Sequence, residues 1–330
     1  MNLDPDLYQH PKLITVFGGS GFVGRHVVET LVKRGYRVRV AVRRPEVAYY
    51  MLQIGEVGQV QMLKTNVRIR ESVARALIGA DAAVFLPGLM YNDGRNSFSA
   101  VQEEGAKNVA ELARSAGIQL VHISALSEAT DATAYIRTKR AGEEAVRVAC
   151  PEAVVLRPSV IFGPEDQFFN KFADMTRFSA VLPLFGGGKT RFQPVYVGDV
   201  AEMIARAVDG VVPAGKVYEL GGAEVLSLRQ VLEETLNVIR RRRPLMYVPF
   251  WLGQLAGGVF GLVGRIPMLP TVTTADQIKM LKYDSIVSEK AVKEGRTLQG
   301  AGITPHAVDA LLASYLWRFR VHGQFSKITA

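Results

Sequence analysis

The chain has 330 residues, 48% of them hydrophobic, a formal net charge of +9 and one cysteine, Cys150. That length and apolar content allow a large domain plus a smaller lobe and exclude intrinsic disorder, while a lone cysteine excludes both a disulfide framework and a cysteine zinc site. The basic excess gathers at Arg43-Arg44 and at Arg240 to Arg243 with no nucleic-acid motif beside it, which points to a nucleotide phosphate and a membrane surface rather than nucleic acid. In chain order, apolar runs predict a strand over 13–17, a helix over 24–34 and a strand over 37–42. A weaker strand follows at 60–63, then a helix at 72–78, a strand at 82–85, a helix at 98–116 and a strand at 119–123. A helix over 135–148 and a strand over 153–156 continue the series. Short connections between alternating strands and helices predict an α/β fold, a Rossmann doubly wound parallel sheet with its ligand outside the carboxyl ends of the strands. Beyond Gly163 the pattern changes to FFNKF, a GGGK loop, a short strand near Val195 and a helix from Asp199. This predicts a nucleotide domain over 1–163, with a return segment at 193–222, and a smaller, mainly helical C-terminal lobe over 164–330. The first dozen residues carry no apolar signal core and no Arg-rich transit helix, so a cytoplasmic or cytoplasm-facing location is expected.

The first strand runs into GGSGFVG. Gly18 permits the turn, Gly21 lets backbone approach a pyrophosphate, and Gly24 lets the helix pack on the sheet. The whole turn, with Gly19, Ser20, Phe22 and Val23, is expected to cradle phosphates at the helix N-terminus. Sites that prefer NAD place an acid at the end of the second strand, but here Arg43 and Arg44 stand there. A guanidinium pairs with a 2′-phosphate through charge-assisted hydrogen bonds, so NADP(H) is expected over NAD(H).

Tyr135 and Lys139 are four apart, which puts both on one face of a helix. A free tyrosine is barely ionised at neutral pH, and Lys139 is placed to supply the cation that would draw its pKa down. Ser124 ends the preceding strand and could hydrogen-bond a substrate carbonyl or hydroxyl.

Together, GGSGFVG, Ser124 and YIRTK resemble the short-chain dehydrogenase/reductase superfamily in its extended or atypical branch. RPSVIFGPEDQFFNKF, with Arg157, Pro158 and Ser159, is similar to the segment that passes beside the nicotinamide in that branch, and QPVYVGDVA to the segment that returns to the nucleotide domain. The resemblance adds Pro87, Gly88, Pro158 and Ser159 to the cofactor contacts, along with Tyr135 and Lys139. Asn66 stands where an acid commonly meets adenine. The two segments look most like the complex I accessory subunit family, alpha subcomplex subunit nine, and its bacterial relatives. That resemblance implies a tightly bound structural NADPH and a place on the peripheral arm, near the quinone site, on the cytoplasmic or matrix face of an energy-transducing membrane.

From Pro244 to Gly264 the chain carries no charge. Proline and repeated glycines argue against spanning, so a buried floor, a partner interface or a lipid contact remain open, with the four preceding arginines favouring anionic lipid. On a helical wheel Trp251, Leu255, Val259 and Leu262 share a stripe. His10, His26, His122, His306 and His322 show no metal-ligand spacing, and no metal is expected. Glu143-Glu144 and Glu233-Glu234 read as solvated helix faces, and Asp166 as a helix N-terminal residue before Phe168. The expected function is a membrane-peripheral NADP(H)-binding accessory subunit; the alternative is an active NADPH-dependent reductase or epimerase/dehydratase using Ser124, Tyr135 and Lys139.

Overall fold

The computed structural model describes residues 11–89, 96–129, 133–254, 275–321 and 323. The chain divides into two compact units, Met1–Ser124 with Ala141–Leu156 and Val200–Val217, and Ala125–Arg140 with Arg157–Asp199 and Tyr218–Ala330. In chain order the strands are β1 (Leu13–Phe17), β2 (Arg37–Val42), β3 (Val60–Lys64), β4 (Ala82–Phe85), β5 (Gln119–Ile123), β6 (Val154–Pro158), β7 (Ile161–Phe162), β8 (Leu182–Phe185), β9 (Arg191–Phe192), β10 (Val195–Tyr196), β11 (Val217–Leu220), β12 (Leu226–Ser227) and β13 (Leu245–Val248). The principal helices are α1 (Phe22–Lys33), α2 (Arg70–Leu77), α3 (Glu104–Ser115), α4 (Ala134–Ala149), α5 (Phe169–Phe178), α6 (Val197–Val208) and α7 (Leu228–Ile239).

A seven-stranded parallel sheet in the order β11-β6-β5-β4-β1-β2-β3 is the frame of the fold. The central strands β1 and β4 are buried at every residue, which is why they read as nearly continuous apolar runs, whereas β2 and the edge strand β3 carry exposed polar positions. The order reverses between β1 and β4, and this switch point is where open parallel sheets take ligands. Phe17, Phe85, Val109, Leu120 and Val146 belong to the core under one face.

The run 98–116 is not one uniform α-helix: a π-helical turn, Ser99–Glu103, precedes α3. A Cβ on Gly142 of α4 would collide with the Gln102 carbonyl, so the two backbones touch at this widened turn. The second unit has its own core of Phe162, Phe169, Leu182, Leu228, Leu232 and Leu312, where α5 packs on α7 and α7 on the helix Val308–Leu316. It is less purely helical than its sequence suggests, because β7 pairs β10, β12 pairs β9 and β13 pairs β8. Ser227 and Gln230 form a reciprocal capping box at the start of α7.

Candidate nucleotide and active site

Gly18 follows β1 at φ +76°, a left-handed conformation that side chains rarely adopt, and its N–H donates to the Ala41 carbonyl at 3.0 Å. A Cβ on Gly24 would lie 2.6 Å from the Gly19 Cα and closer still to the Gly18 oxygen, so only glycine lets α1 begin there. Gly21 differs: it has an ordinary φ of −75°, and a Cβ would make a normal 3.4 Å contact. Among the described residues nothing obliges position 21 to be glycine, and with a single atom within 4 Å of where a Cβ would stand there is room for a pyrophosphate to approach. The first α1 bond joins the Arg25 N–H to the Gly21 oxygen, leaving the N–H groups of Phe22, Val23 and Gly24 without helical acceptors. These residues fit a dinucleotide.

Around this turn, Arg43 and Arg44 lie exposed just beyond β2, and neither side chain has a hydrogen bond or ion pair among the described residues. Two free guanidiniums fit a 2′-phosphate. Pro87 follows β4, and its nitrogen lies 3.3 Å from where a Gly18 Cβ would stand; Gly88 beside it is exposed. The Asn66 side-chain oxygen accepts from the Arg68 N–H at 3.2 Å and Nε at 3.3 Å, so it is engaged in a local turn.

Ser124 is 3% exposed, and its Oγ has no hydrogen-bond partner among the described residues. A buried hydroxyl without a partner is costly, and a ligand oxygen would satisfy it. Tyr135 and Lys139 occupy the first half of α4 at the expected spacing, but the electrostatics differ from the expectation. Burial pushes the Tyr135 pKa up to about 12 and draws that of Lys139 down to about 8. Desolvation therefore outweighs any lowering of the tyrosine by the lysine, and Tyr135 is held protonated as a proton donor. Pro158 ends β6 and is buried. The Ser159 hydroxyl donates to the Ser285 carbonyl at 2.6 Å and is held within its own unit.

Several side chains take places the sequence pattern did not predict. Glu143, expected on a solvated face, is 3% exposed; it lies one turn beyond Lys139 on the α4 face that also buries Val146, while Glu144 points outward. Arg241 donates to the carbonyls of Phe319 and Thr176, and Arg243 to Thr176, near the C-terminal end of α5. Those two arginines are structural, which corrects the expectation that all four in the run face lipid. Asp166 does serve the start of α5, accepting from the N–H of Phe168 at 2.8 Å and of Asn170 at 3.0 Å. It also accepts from the Gly163 N–H and the Tyr315 hydroxyl. Burial raises its pKa against the pull of these bonds. His306, scattered in sequence, meets buried Asp199 with Nδ1 at 2.6 Å. Lys171 donates to Gln277 at 2.7 Å, and burial lowers its pKa to about 8. No spacing signal marks these last two pairs.

A cavity of about 520 Å³ in the second unit is lined by Gly187, Gly188, Lys189, Arg191, Ser227 and Arg229 among others, three of them cations and none an acid. Arg191 is held by Asp284 at 2.7 Å. The apolar stretch is described as far as Gln254, with Trp251 and Leu252 exposed; Leu255, Val259 and Leu262 of the expected stripe lie outside the described residues, as do His10 and His322.

Comparison with known proteins places this arrangement. The chain is 33% identical over 318 residues to an Arabidopsis thaliana protein named NADH dehydrogenase [ubiquinone] 1 alpha subcomplex subunit 9, covering 94% of this chain and 78% of that one. A Caulobacter vibrioides protein named ceramide reductase is 32% identical over 190 residues, 57% of this chain and 58% of its own. Among solved structures, a dTDP-glucose 4,6-dehydratase from Streptomyces venezuelae with NAD bound superposes with a TM-score of 0.69 at 19% identity, covering 93% of this chain and 96% of that one, a likeness of fold. Residues 14–221 match the NAD dependent epimerase/dehydratase family, and the chain belongs to that family, in the company of the subunit 9 proteins it resembles along almost all its length.

Proposed function

We propose that this protein is a membrane-peripheral accessory subunit of the NADH:ubiquinone oxidoreductase type, in which the first unit holds a nicotinamide nucleotide as a structural group and the second docks. The observation that carries this reading is the 33% identity to the Arabidopsis subunit over 94% of the chain, which includes the second unit and not only the nucleotide turn. The nucleotide is NADP(H), because Arg43 and Arg44 stand exposed and unpaired where a 2′-phosphate would lie. Ser20, Gly21, Phe22, Val23 and Gly24 take the pyrophosphate, with Pro87, Gly88 and Asn66 on the adenosine and ribose side and Pro158 toward the nicotinamide.

Among the described residues no helix is long and apolar enough to cross a membrane. Exposed Met246, Tyr247, Trp251 and Leu252, with exposed Arg240 and Arg242 just before them, form the face we assign to anionic lipid and partner subunits. The protein then sits on the cytoplasmic or matrix side of the membrane.

Buried, unpartnered Ser124 favours a second reading, an active reductase or epimerase. A bound nicotinamide supplies hydride chemistry there. Ser124 Oγ would bond the substrate oxygen, Tyr135, held protonated, would donate a proton to it, and the Lys139 ammonium would steady the charge on the tyrosine oxygen.

The test is to release and identify nucleotide from the purified protein and time its exchange with free NADPH. Co-purified NADPH that does not exchange over hours supports the structural reading; rapid exchange overturns it in favour of the enzyme. Arg43→Ala with Arg44→Ala weakens NADPH about tenfold and leaves NADH unchanged if the 2′-phosphate assignment holds.

A further inference from the structure

Between β2 and β3 the chain makes two short 3-10 turns, Pro45–Val47 and Tyr49–Gln53. Fully buried Met51 anchors this strap to the first unit, and it begins directly after Arg43 and Arg44. Tyr50, next to that anchor, stays 45% exposed yet reaches back to the glycine turn. Its hydroxyl donates to the Ser20 carbonyl oxygen at 3.0 Å. The Arg25 guanidinium, in the first turn of α1, lies over the Tyr50 ring at 6.0 Å from its centre.

The bond falls on one peptide unit. The Ser20 carbonyl is taken by Tyr50, and at the other end of the same peptide the Gly21 N–H donates to the Gly18 oxygen at 3.1 Å. With both polar groups committed, the plane of the Ser20–Gly21 peptide is set, and the chain leaves it in a defined direction into the free N–H groups of Phe22, Val23 and Gly24. A Cβ at Gly21 would meet only the Gly18 oxygen within 4 Å, so side-chain packing does not hold this peptide in place and the two hydrogen bonds do.

We propose that Tyr50 is a positioning residue for the dinucleotide: it clamps the Ser20–Gly21 peptide and thereby sets how long the pyrophosphate stays bound. The inference rests on the nucleotide reading above and deepens it, since no spacing rule for dinucleotide turns assigns a residue on this strap.

The experiment compares the full-length protein, stripped of nucleotide, with Tyr50→Phe and with Tyr49→Phe, the neighbouring exposed tyrosine that has no polar partner among the described residues. Calorimetry gives affinities for NADPH and NADH, stopped-flow fluorescence gives release rates, and thermal melts of the nucleotide-free proteins report stability. Tyr50→Phe is expected to release both nucleotides about three- to tenfold faster, the worth of one hydrogen bond, with the nucleotide-free melting temperature unchanged. Tyr49→Phe behaves as the wild type. The loss is equal for NADPH and NADH because both carry the pyrophosphate, whereas loss of the Arg43 and Arg44 side chains separates the two. Wild-type release rates in Tyr50→Phe overturn the proposal. So does faster release in a variant whose nucleotide-free melting temperature has fallen in step, which would make Tyr50 merely structural, or a loss confined to NADPH. Failure of the wild type to bind either nucleotide overturns the nucleotide reading itself and this proposal with it.

Discussion

The glycine turn and the loop that starts α5 solve a similar problem, free N–H groups at the N-terminus of a helix, in opposite ways. At Gly18 to Gly24 the protein leaves those groups without protein acceptors and removes side chains so that a ligand can approach. At Gly163 to Asn170 it places its own carboxylate, Asp166, which accepts from the N–H groups of Gly163, Phe168 and Asn170 and from Tyr315, a residue 149 positions away. The first region is built for an outside anion; the second has supplied an internal one. A helix N-terminus is thus a binding site only where the fold withholds its own acceptor.

The largest way to break that comparison is Asp166→Ala. It strands the N–H groups of Phe168 and Asn170, the Gly163 N–H and the Tyr315 hydroxyl in a buried place, at a cost of about 3–5 kcal/mol in chemical denaturation. Nucleotide affinity of the surviving folded fraction should be unchanged if the two regions are independent.

Lys139 sharpens it from another side, as a cation that the fold takes out of water. Its folded pKa of about 8 lies below the unfolded value of 10.5, so between those pH values the unfolded chain binds more protons and stability rises with pH. Below about pH 8 the penalty is complete, on the order of 3 kcal/mol. Lys139→Met should therefore stabilise the nucleotide-free protein at pH 7 by up to that amount, with the difference from wild type vanishing as pH climbs from 8 to 10.5. A constant difference across that range would refute the assignment.

The smallest effect is expected at the turn itself. Gly24→Ala forces a Cβ to within 2.6 Å of the Gly19 Cα, so the backbone must shift, and nucleotide affinity should fall on the order of 10- to 100-fold. Gly21→Ala meets no protein obstacle, so a comparable loss there would report the ligand's own approach.

The same contrast explains what could be read in advance. Strand identity was legible because doubly buried parallel strands such as β1 and β4 are almost wholly apolar, and the glycine turn was legible because its constraints operate within seven residues. Tyr135 and Lys139 were legible as a spacing but not as a pair of pKa values, since both shifts come from burial by distant chain. Helical periodicity could not tell Glu143 from Glu144, because it does not say which face a neighbour covers. Arg241 and Arg243 read as lipid ligands, but the carbonyls of Thr176 and Phe319, from remote parts of the chain, accept hydrogen bonds from them.

The sequence by itself determined the sheet's alternating βα units, the phosphate-shaped turn, the arginines that follow β2 and the family these features mark. Each of these depends on local sterics, or on charge that remains in solvent. Only the tertiary structure decided which polar groups are consumed internally, as with Asp166, Ser159 and Arg241, and which stay open, as with Ser124 and the N–H groups of α1. Whether a buried polar group has a partner depends on residues tens to more than a hundred positions away, and packing alone brings them together.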